Sequence, residues 1–191
     1  MRLVFENEKK NMTDNLHWYA LKVFYNKVLP LRDKLAGAGC DTYCPLTPDG
    51  KPLISSLLFV RCAEQQLTEL HRDSQSDEQK FAIYTRKEQR ASAIDGKPSE
   101  MNVPAPIPED EMRAFILVTS ASPDTFEVLG PDAPKYHTGQ KVRVTEGPFK
   151  GSEGYVKRIK KDRRLVITVT GIVAVATVHI NPAYLEPITE N

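Results

Sequence analysis

The sequence predicts an α+β chain in two parts: a layered α/β sandwich, then a small five-stranded β-barrel. Three observations carry this. The first 85 residues run strand, helix, strand, strand, helix, strand; residues 120–136 hold Pro123, Gly130, Pro131 and Pro134; and everything after residue 137 is short β-branched segments broken by Gly and Pro. A chain of 191 residues fits one domain or two small ones, and 40% hydrophobic with 27% charged residues is an ordinary globular composition. The resulting division is a tail (1–15), a first domain (16–119), a linker (120–136) in which Thr125 to Leu129 is a candidate short strand, and a second domain (137–191).

Residues 1–15 are polar and aperiodic, the pattern of a disordered tail. Leu16 to Phe24 is rich in aromatic and aliphatic side chains and reads as the first strand. From Asn26 to Ala38, Val28, Leu31 and Leu35 fall at helical spacing, with Gly37 and Gly39 as stop signals. Asp41 to Leu46 reads as a strand ended by Pro45 and Pro48 around an Asp49-Gly50 turn, and Leu53 to Arg61 as a more apolar one. Glu64 to Arg72 places Leu67 and Leu70 on a short helix, and Phe81 to Thr85 forms a fourth strand. The prolines at 98, 104, 106 and 108 predict that residues 86–108 form a loop. Acids at 109–111 open a helix with Met112, Phe115 and Ile116 as its apolar stripe, which closes the first domain.

In the second domain Val142 and Val144 alternate with Lys141 and Arg143, as a half-buried strand requires. Gly147, Pro148, Gly151 and Gly154 then reverse the chain, and Tyr155 to Ile159 returns. Arg164 to Val169 and Ile172 to Val178 form a hairpin about Thr170-Gly171, and Tyr184 to Glu186 adds a fifth strand. From Pro131 onward there are ten Lys/Arg against six Asp/Glu, leaving 16 bases and 19 acids upstream, so the basic character belongs to the second domain. Such a patch attracts phosphate backbones or acidic protein surfaces.

The residues suggest binding surfaces rather than a catalytic centre. Trp18 is read as core and Tyr19 as lying on the opposite strand face; Leu57 and Phe59 share one face and Leu58 and Val60 the other, so one pair is core unless helices cover both faces. Phe149 on a Gly/Pro loop is expected to be a partner contact, because loop tips rarely reach inside. Lys157, Arg158, Lys160, Lys161, Arg163 and Arg164 are candidates for RNA, and Arg86, Lys87 and Arg90 for single-stranded DNA; solvation is the competing explanation for both charge runs. Cys40, Cys44 and Cys62 are odd in number and are expected as reduced thiols; Cys40 and Cys44 lack further ligands at finger spacing, so no metal or cofactor is expected. No nucleophile elbow, phosphate loop or dinucleotide fingerprint is present, which argues against an enzyme. The charged residues after Met1-Arg2-Leu3-Val4-Phe5 match neither a signal peptide nor a membrane span, so a cytoplasmic protein without membrane attachment is expected, as a monomer.

Gly139, Val142, Arg143, Val144, Gly147-Pro148-Phe149 and Gly154-x-Val156 resemble the KOW motif of the NusG family of transcription elongation factors. Trp18-Tyr19-Ala20-Leu21, Leu57-Leu58-Phe59-Val60 and the segment from Ile107 to Phe115 resemble three elements of that family's N-terminal domain, so the similarity covers residues 16–188. The resemblance implies a NusG N-terminal-like α/β sandwich and an SH3-like KOW barrel. It implies that the first domain binds the clamp helices of RNA polymerase, with Tyr19, Ile54, Leu57 and Phe59 as contacts. The KOW domain would recruit a second partner through Phe149 and Lys150; ribosome and termination factor both stay open for that role. Ile54-Ser55-Ser56-Leu57 stands where general factors have Phe-Pro-Gly-Tyr, and the C-terminal half looks closest to UpxY-type paralogues, antiterminators of capsular polysaccharide operons in Bacteroides-like bacteria. Recruitment by a leader RNA or by exposed non-template DNA is the corresponding expectation. The alternative is a KOW-type ribosome- or RNA-binding protein.

Overall fold

The computed structural model describes residues 16–74, 79–91, 98–121, 125–131, 137, 139–159, 162–177 and 180–188, and the expected tail lies outside them. The chain forms two compact units, Met1–Cys44 with Ile54–Pro106 and Pro45–Leu53 with Ile107–Asn191. Both are mixed α/β with antiparallel sheets.

In the first unit, β1 (Leu16–Val23), α1 (Val28–Gly37), β2 (Asp41–Tyr43), β3 (Leu57–Ala63), α2 (Glu64–Ser74) and β4 (Phe81–Ile83) follow the predicted order. The sheet order is β2-β3-β1-β4. β1 and β3 pair from Leu16↔Ala63 to Lys22↔Leu57, so side chains alternate in step along both strands. Tyr19, Leu21 and Val23 of β1 and Leu58, Val60 and Cys62 of β3 share one buried cluster with Val28, Leu31 and Leu35 of α1, Leu67 of α2 and Phe81. Burying each large apolar side chain contributes about 1.5–3 kcal/mol, enough for this layer to define the unit. α1 accepts Pro30 in its first turn, and its last carbonyls receive Ala38, Gly39 and Cys40 N–H groups as Gly39 turns left-handed at φ +84.

The expected loop of 86–108 is largely strand. β5 (Thr85–Ala91) and β6 (Pro98–Pro104) pair antiparallel as a two-stranded sheet. Pro98 and Pro104 sit at its first and last positions, and a two-stranded ladder has only edges, where a missing N–H costs least.

In the second unit, α3 (Glu109–Thr119) precedes β7 (Phe126–Gly130), β8 (Lys141–Val144), β9 (Glu153–Ile159), β10 (Asp162–Val169), β11 (Val173–Thr177) and β12 (Leu185–Pro187). Their order is β12-β8-β9-β10-β11-β7. The five expected strands are present, and a sixth, β7, forms at the candidate short strand within the segment read as linker, by pairing with β11 from Phe126↔Thr177 to Gly130↔Ala174. The helix expected to close the first domain belongs to the second unit. The Glu111 carboxylate accepts bonds from the Thr170 N–H and hydroxyl, both at 2.8 Å, and so fastens α3 to the β10–β11 turn.

The glycines between β8 and β10 have different jobs. A Cβ at Gly154 would overlap the Val166 carbonyl oxygen, because β9 and β10 approach closely there; Gly171, at φ +75, has open space around it and is needed only for the turn. Gly154→Ala is therefore expected to lower stability by about 3 kcal/mol through overpacking, and Gly171→Ala by about 1 kcal/mol through backbone strain. Denaturant midpoints of the two variants check the order, and equal losses would refute the close-approach argument.

Candidate binding surfaces

The residues expected to meet a polymerase do not form one surface. Tyr19 is fully buried within the α1–α2 cluster, so the expectation of a surface contact is corrected: strand alternation directs it into the core. Leu57 and Phe59 alternate with the cluster residues Leu58 and Val60 and lie on the other face of β3. All four are buried, as is Trp18, so both faces of the β1–β3 ladder are core rather than one. Ile54 is half-buried in the turn before β3.

An exposed apolar feature that the sequence reading passed over stands at one end of this sheet. Phe24 is 38% and Tyr25 80% exposed, with ring centroids 6.4 Å apart. The Lys22 ammonium sits 6.0 Å from the Phe24 centroid, a cation–π distance. Tyr25 and Asn26 adopt φ +57 and +55, the left-handed region that non-glycine residues seldom enter. The Val23 N–H donates to the Ser56 carbonyl at 2.9 Å, which sets this aromatic turn beside the turn carrying Ile54. The available signal was two aromatics running on past the point where the alternation of β1 stops, directly before Asn26.

Phe149 also departs from expectation. It is only 4% exposed, while Lys150 is exposed. The loop is a compact hydrogen-bonded turn rather than a projecting tip. Lys150 N–H bonds Gly147 O, Gly151 N–H bonds Val144 O and Ser152 N–H bonds Phe149 O, with Gly147 and Gly151 left-handed. The folded-back backbone leaves the aromatic ring in the interior, where its burial is favourable.

The basic candidates divide by partner. Arg164 is buried and paired with Glu127 at 2.6 Å, and Arg143 meets Glu153 at 2.6 Å. Across the β9–β10 ladder Arg158 stands opposite Arg163 and Lys157 opposite Arg164. Like charges directly opposed destabilise a ladder; Arg158 and Arg163 are both exposed, and neither has a carboxylate partner among the described residues. On β5, Arg86 bonds Glu88 at 3.3 Å and Lys87 bonds Glu100 of β6 at 2.6 Å, which neutralises much of the candidate DNA surface. Lys160, Lys161 and the side chain of Arg90 lie outside the described residues.

In the second unit a small open groove of about 100 Å³ lies between the start of α3 and the sheet, lined by Asp110, Glu111, His137, Lys141, Glu153, Gly154, Tyr155, Thr168 and Thr170. None of the expected site residues lines it, and His137 stacks edge-on to Tyr155 at 5.6 Å. Among the described residues no group of three or more His, Cys, Asp and Glu side chains could hold a metal ion, and no helix is long and apolar enough to cross a membrane. Compared with known families, curated proteins and solved structures, the chain matches none.

Two outcomes follow. Phe149→Ala should cost about 3 kcal/mol of stability and Lys150→Ala under about 0.5 kcal/mol, measured by thermal unfolding; a neutral Phe149→Ala would return the ring to the surface. Burial, aided by Glu64, pushes the Tyr19 phenol up to about 12 from 10.0. Its folded pKa lies above its unfolded one, so its contribution is intact below pH 10 and is lost as pH rises toward 12. The fall in unfolding midpoint over that range should be smaller in Tyr19→Phe than in the natural chain.

Proposed function

We propose that this chain is a transcription elongation regulator of the NusG type, a processive antiterminator in the manner of the capsular-operon paralogues. The first unit would bind RNA polymerase and the KOW-bearing unit a second partner. The observation that carries the reading is the KOW-like run from Gly139 to Val156, in which the motif glycines are needed where they stand. Gly139 and Gly147 are left-handed, and a side chain at Gly154 would overlap the next strand. The motif lies C-terminal to a strand–helix–strand–strand–helix–strand unit, the order read from the sequence. The mechanism is binding, with no bond made or broken.

On the first unit the contact surface that fits this role is the end of the sheet bearing Phe24, Tyr25 and Ile54. Exposed aromatics beside a polar rim are the side chains from which interface hot spots are built. Leu57 and Phe59, which the resemblance also assigns to the polymerase, are buried in this conformation. They would take part only if their sheet face were uncovered. In the second unit Lys150 and the Gly147-Pro148 turn are the exposed part of the motif loop.

A second reading, a KOW-type RNA-binding protein, is favoured by the opposed pair Arg158 and Arg163. An RNA phosphate between two such guanidinium groups would relieve their repulsion.

The deciding experiment incubates the full-length chain with purified polymerase core and, separately, with structured RNA. Retention on polymerase, weakened about tenfold per lost hot-spot contact in Phe24→Ala/Tyr25→Ala with an unchanged circular-dichroism spectrum, is the expected result. No retention of the natural chain overturns the regulator reading. Tight RNA binding whose salt slope drops by about 2 in Arg158→Ala/Arg163→Ala would put the second reading in its place.

A further inference from the structure

The pairing of β2 with β3 runs Asp41↔Arg61, Thr42↔Val60 and Tyr43↔Phe59. One step outward sets Cys40 opposite Cys62. Both side chains lie in the helix-facing cluster, at 5% and 0% exposure. All three cysteines of the described structure are thiols.

The backbone makes this a place where a disulfide fits. The Cys40 N–H turns away from β3 and donates to the Leu35 carbonyl at 3.1 Å. Cys40 and Cys62 therefore do not exchange the two bonds of a hydrogen-bonded pair. In a non-hydrogen-bonded antiparallel pair the Cα atoms are about 4.5 Å apart with the side chains at their closest. That separation falls inside the range a disulfide spans, about 4.4–6.8 Å.

From this geometry we infer that Cys40 and Cys62 are an oxidisable dithiol, a modification site that a small peroxide closes to a cross-strand disulfide between β2 and β3. The inference stands apart from the polymerase reading. Access comes from the sheet edge: β2 has three residues, is the outer strand, and follows the left-handed Gly39, so a brief local opening exposes Cys40 without unfolding the unit.

The roles of the two sulfurs differ. The hydrogen bond from the Cys62 thiol holds Cys40 below the usual thiol range, while the same bond and burial push Cys62 up. Cys40, next to the short edge strand that opens, is the attacking thiolate. It breaks the peroxide O–O bond and takes one oxygen as sulfenic acid, the other leaving as water. The Cys62 sulfur then attacks the Cys40 sulfur, the S–O bond breaks, the S–S bond forms, and the Cys62 proton leaves with the hydroxyl as a second water. In sum, two thiols and one hydrogen peroxide give one disulfide and two waters. Cys44 is half-buried, with its thiol pushed up to about 11 by burial, and the same register sets it opposite Leu58, so it has no sulfur across the ladder to bridge.

The test treats the full-length chain with hydrogen peroxide, alkylates the remaining thiols and maps peptides by mass spectrometry, with a urea-unfolded sample alongside. The expected result is a Cys40–Cys62 linked peptide with Cys44 alkylated, reversed by dithiothreitol and retained in Cys44→Ser. The unfolded sample should give mixed pairings. The unfolding midpoint of the oxidised chain should rise, because the bridge constrains the unfolded state. In Cys62→Ala, dimedone should trap a sulfenic acid at Cys40. The same mixture of pairings in native and unfolded samples, or oxidation of Cys44 ahead of Cys40 in the natural chain, overturns the inference whether or not the alanine variant folds.

Discussion

The antiparallel ladder between β1 and β3 is the constraint on which the first unit depends. Its register runs unbroken from Leu16↔Ala63 to Lys22↔Leu57. Strand side chains alternate between two faces, so a one-residue slip would exchange every inward residue with its neighbour. Here both faces are apolar, and Trp18 to Leu21 and Leu57 to Val60 are all buried. On the face of Tyr19, Leu58 and Val60, the spacing of Val28, Leu31 and Leu35 gives α1 an apolar stripe to lay on the sheet. The pairing of β2 on the other edge of β3 brings Cys40 and Cys62 together, and the β1–β3 ladder ends beside the exposed turn of Phe24 and Tyr25.

The second unit depends on close backbone approach instead. β9 meets β10 with no room for a side chain at Gly154, and the turn between β8 and β9 closes through three short-range backbone bonds around two left-handed glycines. Compactness of that turn is what draws Phe149 inside. In the same unit a single carboxylate, Glu111, satisfies both the amide and the hydroxyl of Thr170, tying a helix to a hairpin turn. Charge follows the same economy: Arg164 and Arg143 are neutralised within the sheet, which leaves the opposed Arg158 and Arg163 as its exposed cationic feature among the described residues.

These features favour a protein that works by contact. The aromatic end of the first sheet and the cationic hairpin of the second unit offer surfaces of opposite chemical taste, one suited to an apolar protein groove and one to phosphate.

Sequence alone determined the local periodicities. The aromatic and aliphatic run of Leu16–Val23, the helical spacing of Val28, Leu31 and Leu35, and the β-branched runs after Arg164 place elements correctly, because each is a property of a few neighbouring residues. The motif glycines were legible for the same reason. Tertiary structure decided everything that depends on what lies opposite. Pairing turned the proline-bearing stretch into β5 and β6 and made a strand of Phe126–Gly130, because a strand exists only through its partner. Two-sided burial put Tyr19, Leu57 and Phe59 in the core, since a sequence shows that a face is apolar but not whether something covers it. The Glu111–Thr170 bonds assigned α3 to the second unit across 59 residues of chain, and register across the sheet edge set Cys40 against Cys62. Long-range juxtapositions of this kind have no periodic trace along the chain, so only the fold could supply them.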